Sequence, residues 1–495
     1  MSSYAVETAT DPFAQTRVGF EETIGWLAGP DSAGLTHAEV EAQVLTRFRQ
    51  VARQGLQEHY DLCTAREPRL PEVVDADGVV RRRAEAGRDR ALTTVVGEVI
   101  IGRIAYRQPG HADLHPADGA GNLPVEKHSH GLRRLAAVEA TRGSFAQAGQ
   151  AVERATGVRI GTRQIESLTV RAAADIDAFY QQIERGDPAT AKLALGMSAD
   201  AKGVVMRHEA LRAGTAKAAT SRNLATRLCA GEKRNRKRMA QIVTVFDSDP
   251  AVRDVADILP ALGHTPAAGP VTSGKWLAAS LRHSTAQMIT VMFEEATRRD
   301  PEHRRDWFCL VDGNAHQIER ITAEATTRTV NVTIICDLIH VLEYLWTAAW
   351  CLYPRADPAA EAWVHHQARQ LLSGRLDDVL TGLAAAAGQA ADPATGIDKA
   401  ITYLTNQRPH LDYPTALANG WPIATGIIEG ACRHLVKDRL DITGARWGLD
   451  GAEAVLKLRA LISNGDLDAY WKYHLGQEHH RVHKSRYANN TIPEP

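Results

Sequence analysis

The chain has 495 residues, with 58 Lys and Arg against 59 Asp and Glu, for a formal net charge of −1. That length exceeds what one hydrophobic core usually supports, so about two to four domains are expected. The balanced charge excludes a global electrostatic pull on nucleic acid, and any basic surface has to be local.

Six cysteines, at positions 63, 229, 309, 336, 351 and 432, form no C-x-x-C pair, which argues against a disulfide framework and a zinc knuckle. The opening MSSYAVETATDPFAQ shows neither a basic n-region nor an apolar h-region. No later apolar run approaches the roughly 18 residues needed to span a bilayer. A cytoplasmic chain with reduced thiols and no membrane partner is expected.

Within 1–66, Val40, Val44, Phe48, Val51, Leu56 and Tyr60 recur at near-helical spacing and predict an amphipathic helix. Across 67–115, EVVDADGVVRRR and LTTVVGEVIIGRIAYR set β-branched residues around an Asp-Gly turn, which predicts a small β-meander. The segment 116–190 turns helical. In SFAQAGQAVERATGVRIGTRQIESLTV, two short helices separated by GVRIG, with Thr162 as N-cap, make a helix-turn-helix-like module. Its second helix opens with Arg163 and Gln164, which can reach base edges or phosphates. Many two-helix hairpins only pack.

From 191 the pattern is mixed α/β. LALGMSADAKGVVMR predicts two strands around Ala201, and MAQIVTVFD a third. WLAASLRHSTAQMITVMFEEATRR predicts a long helix, followed by strand WFCLVDG, helix HQIERITAEATT, strand VNVTIICD and helix LIHVLEYLWTAAWCL. Three strands and then alternating helices and strands is the element order of a ribonuclease H-like core, assigned to 191–356 and 420–463. Right-handed crossovers place the strand of Asp200 at the sheet centre, beside that of Asp312. A helical insertion occupies 357–419, and 464–495 forms a C-terminal helical tail.

This topology brings together Asp200, Asp312 and Glu429. Phosphodiester chemistry needs an activated oxygen nucleophile and a stabilised leaving oxygen, which two divalent cations serve at once. Hard cations want carboxylate oxygens, so two Asp and one Glu suffice. Each residue also has a plainer role. D-A-K-G and D-G-N look like turns. Glu429, Arg433 and Lys437 at i, i+4 and i+8 would form an ordinary salt-bridged ridge worth about 0.2–0.5 kcal/mol per pair.

Four stretches, SADAKGVVMR, DGNAHQIERI, CDLIHVLEYLW and TGIIEGACRHLVKDRLDITGARWG, together with the N-terminal HSHGLRRL and RGSFAQAGQAVERATG, resemble bacterial insertion-sequence transposases of the DDE class, in particular the ISKra group. The resemblance spans nearly the full length. It implies a ribonuclease H-like core and two Mg²⁺ or Mn²⁺ ions held by Asp200, Asp312 and Glu429. It also implies double-stranded DNA partners, both terminal inverted repeats and target, with cutting and strand transfer. Pairing two ends implies a homodimer or larger assembly, associated with the bacterial nucleoid when bound.

Asp337 in CDLIH is the rival second carboxylate, ranked lower because its strand lies one place further from the sheet centre. His340 is expected to support its helix or touch DNA. A zinc role with Cys336 lacks a second ligand pair. The run GEKRNRKR offers Lys233, Arg234, Arg236, Lys237 and Arg238 for tracking phosphates, and Arg433, Lys437 and Arg439 extend that surface. Trp421 is either a base-stacking residue or core, and Trp447 invites the same caution. Two other functions compete with transposition: a catalytically silent DNA-binding regulator, and a structure-specific nuclease on the same core.

Overall fold

The structure, a computed structural model, describes residues 11–184, 193–219, 236–260, 265–388, 395–424, 426–442 and 444–493. The chain divides into two compact units, Met1–Gln181 with Asp468–Pro495, and Gln182–Leu467. Among the described residues, no helix is long and apolar enough to cross a membrane.

The first unit opens with helices Ala14–Ala28 and His37–Arg66. Thr36 starts the long helix: its N–H donates to Glu39 Oε2 at 2.8 Å, while its own hydroxyl accepts from Glu39 N–H at 3.4 Å. Leu56 and Tyr60, near the far end, pack on Leu92, Val99, Ile101 and Leu123. Six short strands follow: β1 (Val73–Val74), β2 (Val80–Arg81), β3 (Arg83–Glu85), β4 (Arg90–Thr94), β5 (Gly97–Ile101) and β6 (Ala105–Arg107).

These strands pair as β1–β2, β3–β6 and β4–β5, all antiparallel, so the expected single meander is three separate ribbons. The Asp-Gly turn is as expected. Asp75 Oδ1 accepts from the N–H groups of Asp77 (3.0 Å) and Val79 (2.8 Å) and closes the first ribbon.

Three helices, His130–Arg142, Phe145–Thr156 and Thr162–Ala172, enclose Leu132, Ala136, Val152, Ile160, Ile165 and Leu168. Gly157 ends the middle helix at φ 73°, a left-handed position that suits glycine. The third helix starts one residue earlier than Thr162 suggests. Gly161 is the N-cap, with an extended backbone, and Gln164 Oε1 accepts from Gly161 N–H at 3.3 Å.

Helix Leu467–Val482 supplies Asp468 onward to this unit and joins it through a buried charge network. Arg133, fully buried, donates to Glu478 and to His474 Nε2, both at 3.0 Å, and also to Glu126. His474 Nδ1 lies 2.6 Å from Asp175 Oδ2, and Arg481 forks onto both Asp175 oxygens at 3.0 Å.

Burial alone would raise the Asp175 carboxyl, but hydrogen bonds from His474 and Arg481 hold it down at about 2, against the usual 3.8. A depressed carboxylate contributes stability above its unfolded value, and that contribution is lost as pH falls through its folded value. The urea midpoint of the wild-type chain should therefore drop steeply between about pH 4 and about pH 2. The associated loss is on the order of 2 kcal/mol. Asp175→Asn should start lower at neutral pH and show a flatter acid profile. Parallel profiles would remove this network from the stability of the unit.

The second unit is built on one five-stranded sheet: β7 (Ala194–Val205), β8 (Lys237–Asp249), β9 (Val271–Ser280), β10 (Trp307–Val311) and β11 (Val332–Cys336). The order is β11-β10-β7-β8-β9, with β8 antiparallel to both β7 and β9, and β10 parallel to both β7 and β11. The strand of Asp200 is central and that of Asp312 adjoins it, as the crossovers require. All five residues of β10 are buried, the mark of a parallel strand covered on both faces.

The count of three leading strands is right, but their boundaries differ from expectation. SADAKGVV holds no turn: β7 runs unbroken through Asp200 to Val205, because every residue from Ala194 to Val205 pairs with β8. The third strand is VTSGKWLAAS, whose apolar WLAAS reads equally well as helix. The helix begins only at Thr285, where the Ser284 hydroxyl accepts from Gln287 N–H at 3.3 Å and Gln287 Oε1 accepts from Ser284 N–H at 2.9 Å. Helices Ala315–Arg328 and Leu338–Ala349 follow β10 and β11. Helices Pro358–Leu372, Leu376–Ala387, Thr395–Asn406 and Tyr413–Ala418 then precede the segment of Glu429.

Candidate active site

Two strand registers place the acidic residues. Leu310 of β10 lies opposite Ser198 of β7, and Val311 lies opposite Cys336 of β11. Continuing both registers sets Asp312 level with Asp200 on one side and Asp337 on the other. The level is pinned by hydrogen bonds: Ser198 Oγ donates to Leu310 O, and Asp337 N–H donates to Val311 O, each at 2.8 Å. Three carboxylates thus stand level, two just beyond the ends of β10 and β11 and one midway along β7.

Glu429 arrives on helix Gly426–Cys432, which continues as a π-helical turn over Arg433–Lys437. Cys432, three residues on, faces the sheet, and its thiol donates to Asp200 Oδ2 at 3.0 Å. Burial and the neighbouring Asp200 push the thiol well above its usual range, so it stays protonated and able to donate. This contact fixes the glutamate helix against the central strand. Glu429 itself is exposed and makes no hydrogen bond or ion pair among the described residues. The salt-bridged ridge is not formed: Arg433 has Asp438 as its ion-pair partner, at 3.9 Å. The π turn also offsets Lys437 from the stack expected of a regular helix.

Asp337 and Asp200 both use their two oxygens inside the protein, Asp200 Oδ1 accepting from Ala201 N–H at 2.6 Å and Oδ2 from the Cys432 thiol, whereas Asp312 does not. Asp337 is fully buried; Oδ1 accepts from Ile339 N–H at 2.9 Å as the N-cap of its helix, and Oδ2 accepts from His340 Nδ1 at 3.0 Å. That hydrogen bond raises His340 to about 9 despite partial burial, which favours its protonated form wherever no metal takes the ring. Asp312 commits only Oδ1, to Asn314 N–H at 2.9 Å, and its second oxygen has no partner among the described residues. Asp337, His340 and Glu429 have ligand atoms within 4.8 Å of one another, a grouping able to hold a metal ion. Asp200 and Asp312 stand outside that group, so the three expected ligands are not drawn to metal-ligand spacing.

The helical insertion braces the strand ends. Tyr403 Oη donates to Asp312 O at 3.0 Å, Gln407 Nε2 to Gly313 O at 2.8 Å, and Tyr413 Oη to Cys336 O at 3.0 Å. Tyr403 also stacks on Tyr344, with centroids 4.0 Å apart. None of these residues was singled out by sequence reasoning. Their only signal is tyrosine placed in an otherwise Ala-rich helical block. Cys432 had a stronger one, lying on the apolar face one turn beyond Glu429.

Other expected site residues are dispersed. Arg163 and Gln164 are exposed at the start of their helix, though Gln164 also serves the Gly161 cap. Lys233 and Arg234 lie outside the described residues. Arg236 immediately precedes β8, and Lys237 opens it, opposite Val205. Arg238 is half-buried and donates to Leu281 O (2.7 Å) and Ala210 O (3.2 Å), which leaves only part of its guanidinium for phosphate and corrects its assignment in part.

Arg439 is corrected as well. It is 2% exposed, with its guanidinium 4.6 Å from the centre of the Trp447 ring, and burial lowers it to about 10. Arg433 and Lys437 remain exposed. Trp421 is a core residue, stacked on Phe308 at 5.8 Å, so base stacking is excluded in this arrangement. Cys336 is a buried thiol, pushed up to about 12 by burial, that faces Gln407 rather than His340.

No protein-family model matches the chain, and no curated protein matches it. Among solved structures, the Drosophila P element transposase strand transfer complex is similar at 10% identity, covering 69% of this chain and 79% of that one, with a TM-score of 0.24. Similarity at that level carries no argument about this chain.

Proposed function

We propose that the chain is a DDE transposase with a ribonuclease H-like core, and that Asp200, Asp312 and Glu429 are its catalytic carboxylates. The observation that carries this reading is the level row of Asp200 and Asp312 on adjacent strands, with Glu429 clamped alongside through the Cys432–Asp200 contact. The sequence resemblance to insertion-sequence transposases of the ISKra group agrees with it. The Asp312 oxygen and the Glu429 carboxylate that have no partner among the described residues suit hard divalent cations. Closing of these carboxylates around two Mg²⁺ or Mn²⁺ ions, which their present spacing does not provide, would supply charge stabilisation for the attacking and leaving oxygens of a phosphodiester.

The residues of the chain do the positioning. β7 and β10 hold the two aspartates at one level, Cys432 sets the glutamate across from them, and Tyr403 and Gln407 fix the loop after Asp312. The His340 ring, protonated where no metal takes it, lies beside Glu429 and is placed to face an anionic DNA backbone. The exposed Arg433 and Lys437 extend positive charge along the same helix. Terminal repeats would be bound by the three-helix module and joined to a target by the core.

The test is a two-part assay on a duplex carrying an end of the element. Mg²⁺-dependent nicking with joining of the freed 3′ end supports transposition. Nicking of branched DNA without joining supports the rival nuclease, and binding without nicking supports the silent regulator. For recognition, Arg163→Ala should weaken discrimination between terminal repeat and random DNA by roughly 1–3 kcal/mol for a lost base contact. Unchanged discrimination in a binding competition would move recognition away from this helix.

A further inference from the structure

Between residues 11 and 66 the first unit buries only Thr23, Ser32 and Glu58, and no apolar side chain at all. Val18, Phe20, Ile24, Leu27, Leu35 and Leu45 are exposed, Leu45 at 60%. The seam between the two helices is thin. Phe20 meets Phe48 edge-on with centroids 6.1 Å apart, Arg47 lies 4.4 Å over the Trp26 ring, and Glu58 accepts from the N–H groups of Gln15 (2.9 Å) and Thr16 (3.1 Å). Helical stability in proteins comes mainly from packing an apolar face, and this hairpin leaves its own uncovered.

The uncovered side chains form a stripe. Phe20, Ile24 and Leu27 follow one another at i, i+4 and i+7. Leu45 lies one turn before Phe48 on the facing helix, and Phe48 is the residue that meets Phe20. Charge is segregated along the same hairpin. Its tip, residues 18–46, carries Glu21, Glu22, Asp31, Glu39 and Glu41 and no Lys or Arg, whereas in its root Arg17, Arg47, Arg49, Arg53 and Arg66 outnumber Asp11, Glu58 and Asp61, with Arg17 paired to Asp11 and Arg47 reaching over Trp26 of the tip. An acidic tip repels phosphates, so DNA is a poor occupant. An antiparallel two-fold pairing sets the acidic tip of each hairpin against the basic root of the other, which makes the surface self-complementary.

We propose that this face is a dimerisation surface whose occupant is the same hairpin of a second copy of the chain. The assignment goes beyond the catalytic reading and does not depend on it. Sedimentation equilibrium on the full-length chain provides the test. Wild type is expected to dimerise. Ile24→Glu with Leu45→Glu should raise the dissociation constant by at least about tenfold, since each buries an unpaired charge, with the circular dichroism spectrum unchanged.

Glu21→Lys with Glu22→Lys leaves the apolar stripe intact and should also weaken the dimer, more so at low salt. A monomeric wild type overturns the proposal, and so does a dimer indifferent to both pairs of substitutions. A chain that dimerises only after removal of residues 1–10 would overturn it too, by making that segment the occupant of the face.

Discussion

Asp200→Ala, Asp312→Ala and Glu429→Ala are each expected to abolish Mg²⁺-dependent cleavage of an end-containing duplex, with binding of that duplex unchanged. A loss of at least about 10³-fold, equivalent to ~4 kcal/mol of barrier, is the scale expected when a metal-binding carboxylate is removed from a two-metal site. Asp337→Ala should behave differently. Asp337 caps its helix through Ile339 N–H and holds the His340 ring, so its loss removes a helix cap and the hydrogen-bond partner of His340. The helix should weaken by about 1 kcal/mol, and cutting should fall while remaining measurable. Asp337→Asn keeps the cap and separates the two effects.

The competing geometry makes this informative, because Asp337 and not Asp312 shares close spacing with Glu429. A dead Asp337→Asn beside an active Asp312→Ala would transfer the second catalytic carboxylate to Asp337. Single-turnover nicking, measured with Mg²⁺ and again with Mn²⁺, decides between them.

The parts of this site that were legible in the sequence are those fixed by local pattern and topology. WFCLV is a continuous apolar run and VTIIC a β-branched one, both readable as strands although only the first is buried throughout, and their ends name Asp312 and Asp337 directly. The central place of β7 followed from the order of strands and helices taken with right-handed crossovers. What failed was any decision resting on a short ambiguous stretch. D-A-K-G looks like a turn, yet the ladder to β8 holds it extended. WLAAS is apolar enough for helix or strand, and only pairing with β8 decides. Residue type alone suggests a surface role for Arg238 and Arg439, but carbonyl acceptors hold part of the Arg238 guanidinium and Arg439 is buried against a tryptophan face. The π turn after Cys432 and the tyrosine braces depend on contacts between distant segments, for which one sequence carries no period.

Gly313→Ala should unsettle the site without touching a carboxylate. Gly313 adopts φ 89°, a left-handed position that costs an L-residue about 1–2 kcal/mol. A Cβ there would sit 2.7 Å from Tyr403 Cε2 and 2.9 Å from Tyr403 Oη. Tyr403 has little room to yield, because its ring is stacked on Tyr344 and its hydroxyl holds the carbonyl of Asp312. The strain and the contact together should cost about 2–4 kcal/mol of stability. The shift they impose on Asp312 should reduce single-turnover cleavage by roughly 10²-fold, as misplacements of about 1 Å do. Tyr403→Ala in the Gly313→Ala background removes the contact but not the backbone strain, so it should restore part of the stability. It should not restore the rate, since the brace on Asp312 is then absent. Thermal unfolding and nicking rates for the two single variants and the double variant complete the cycle. If Gly313→Ala melts and cuts like wild type, the insertion does not brace the catalytic edge, and Asp312 owes its position to β10 alone.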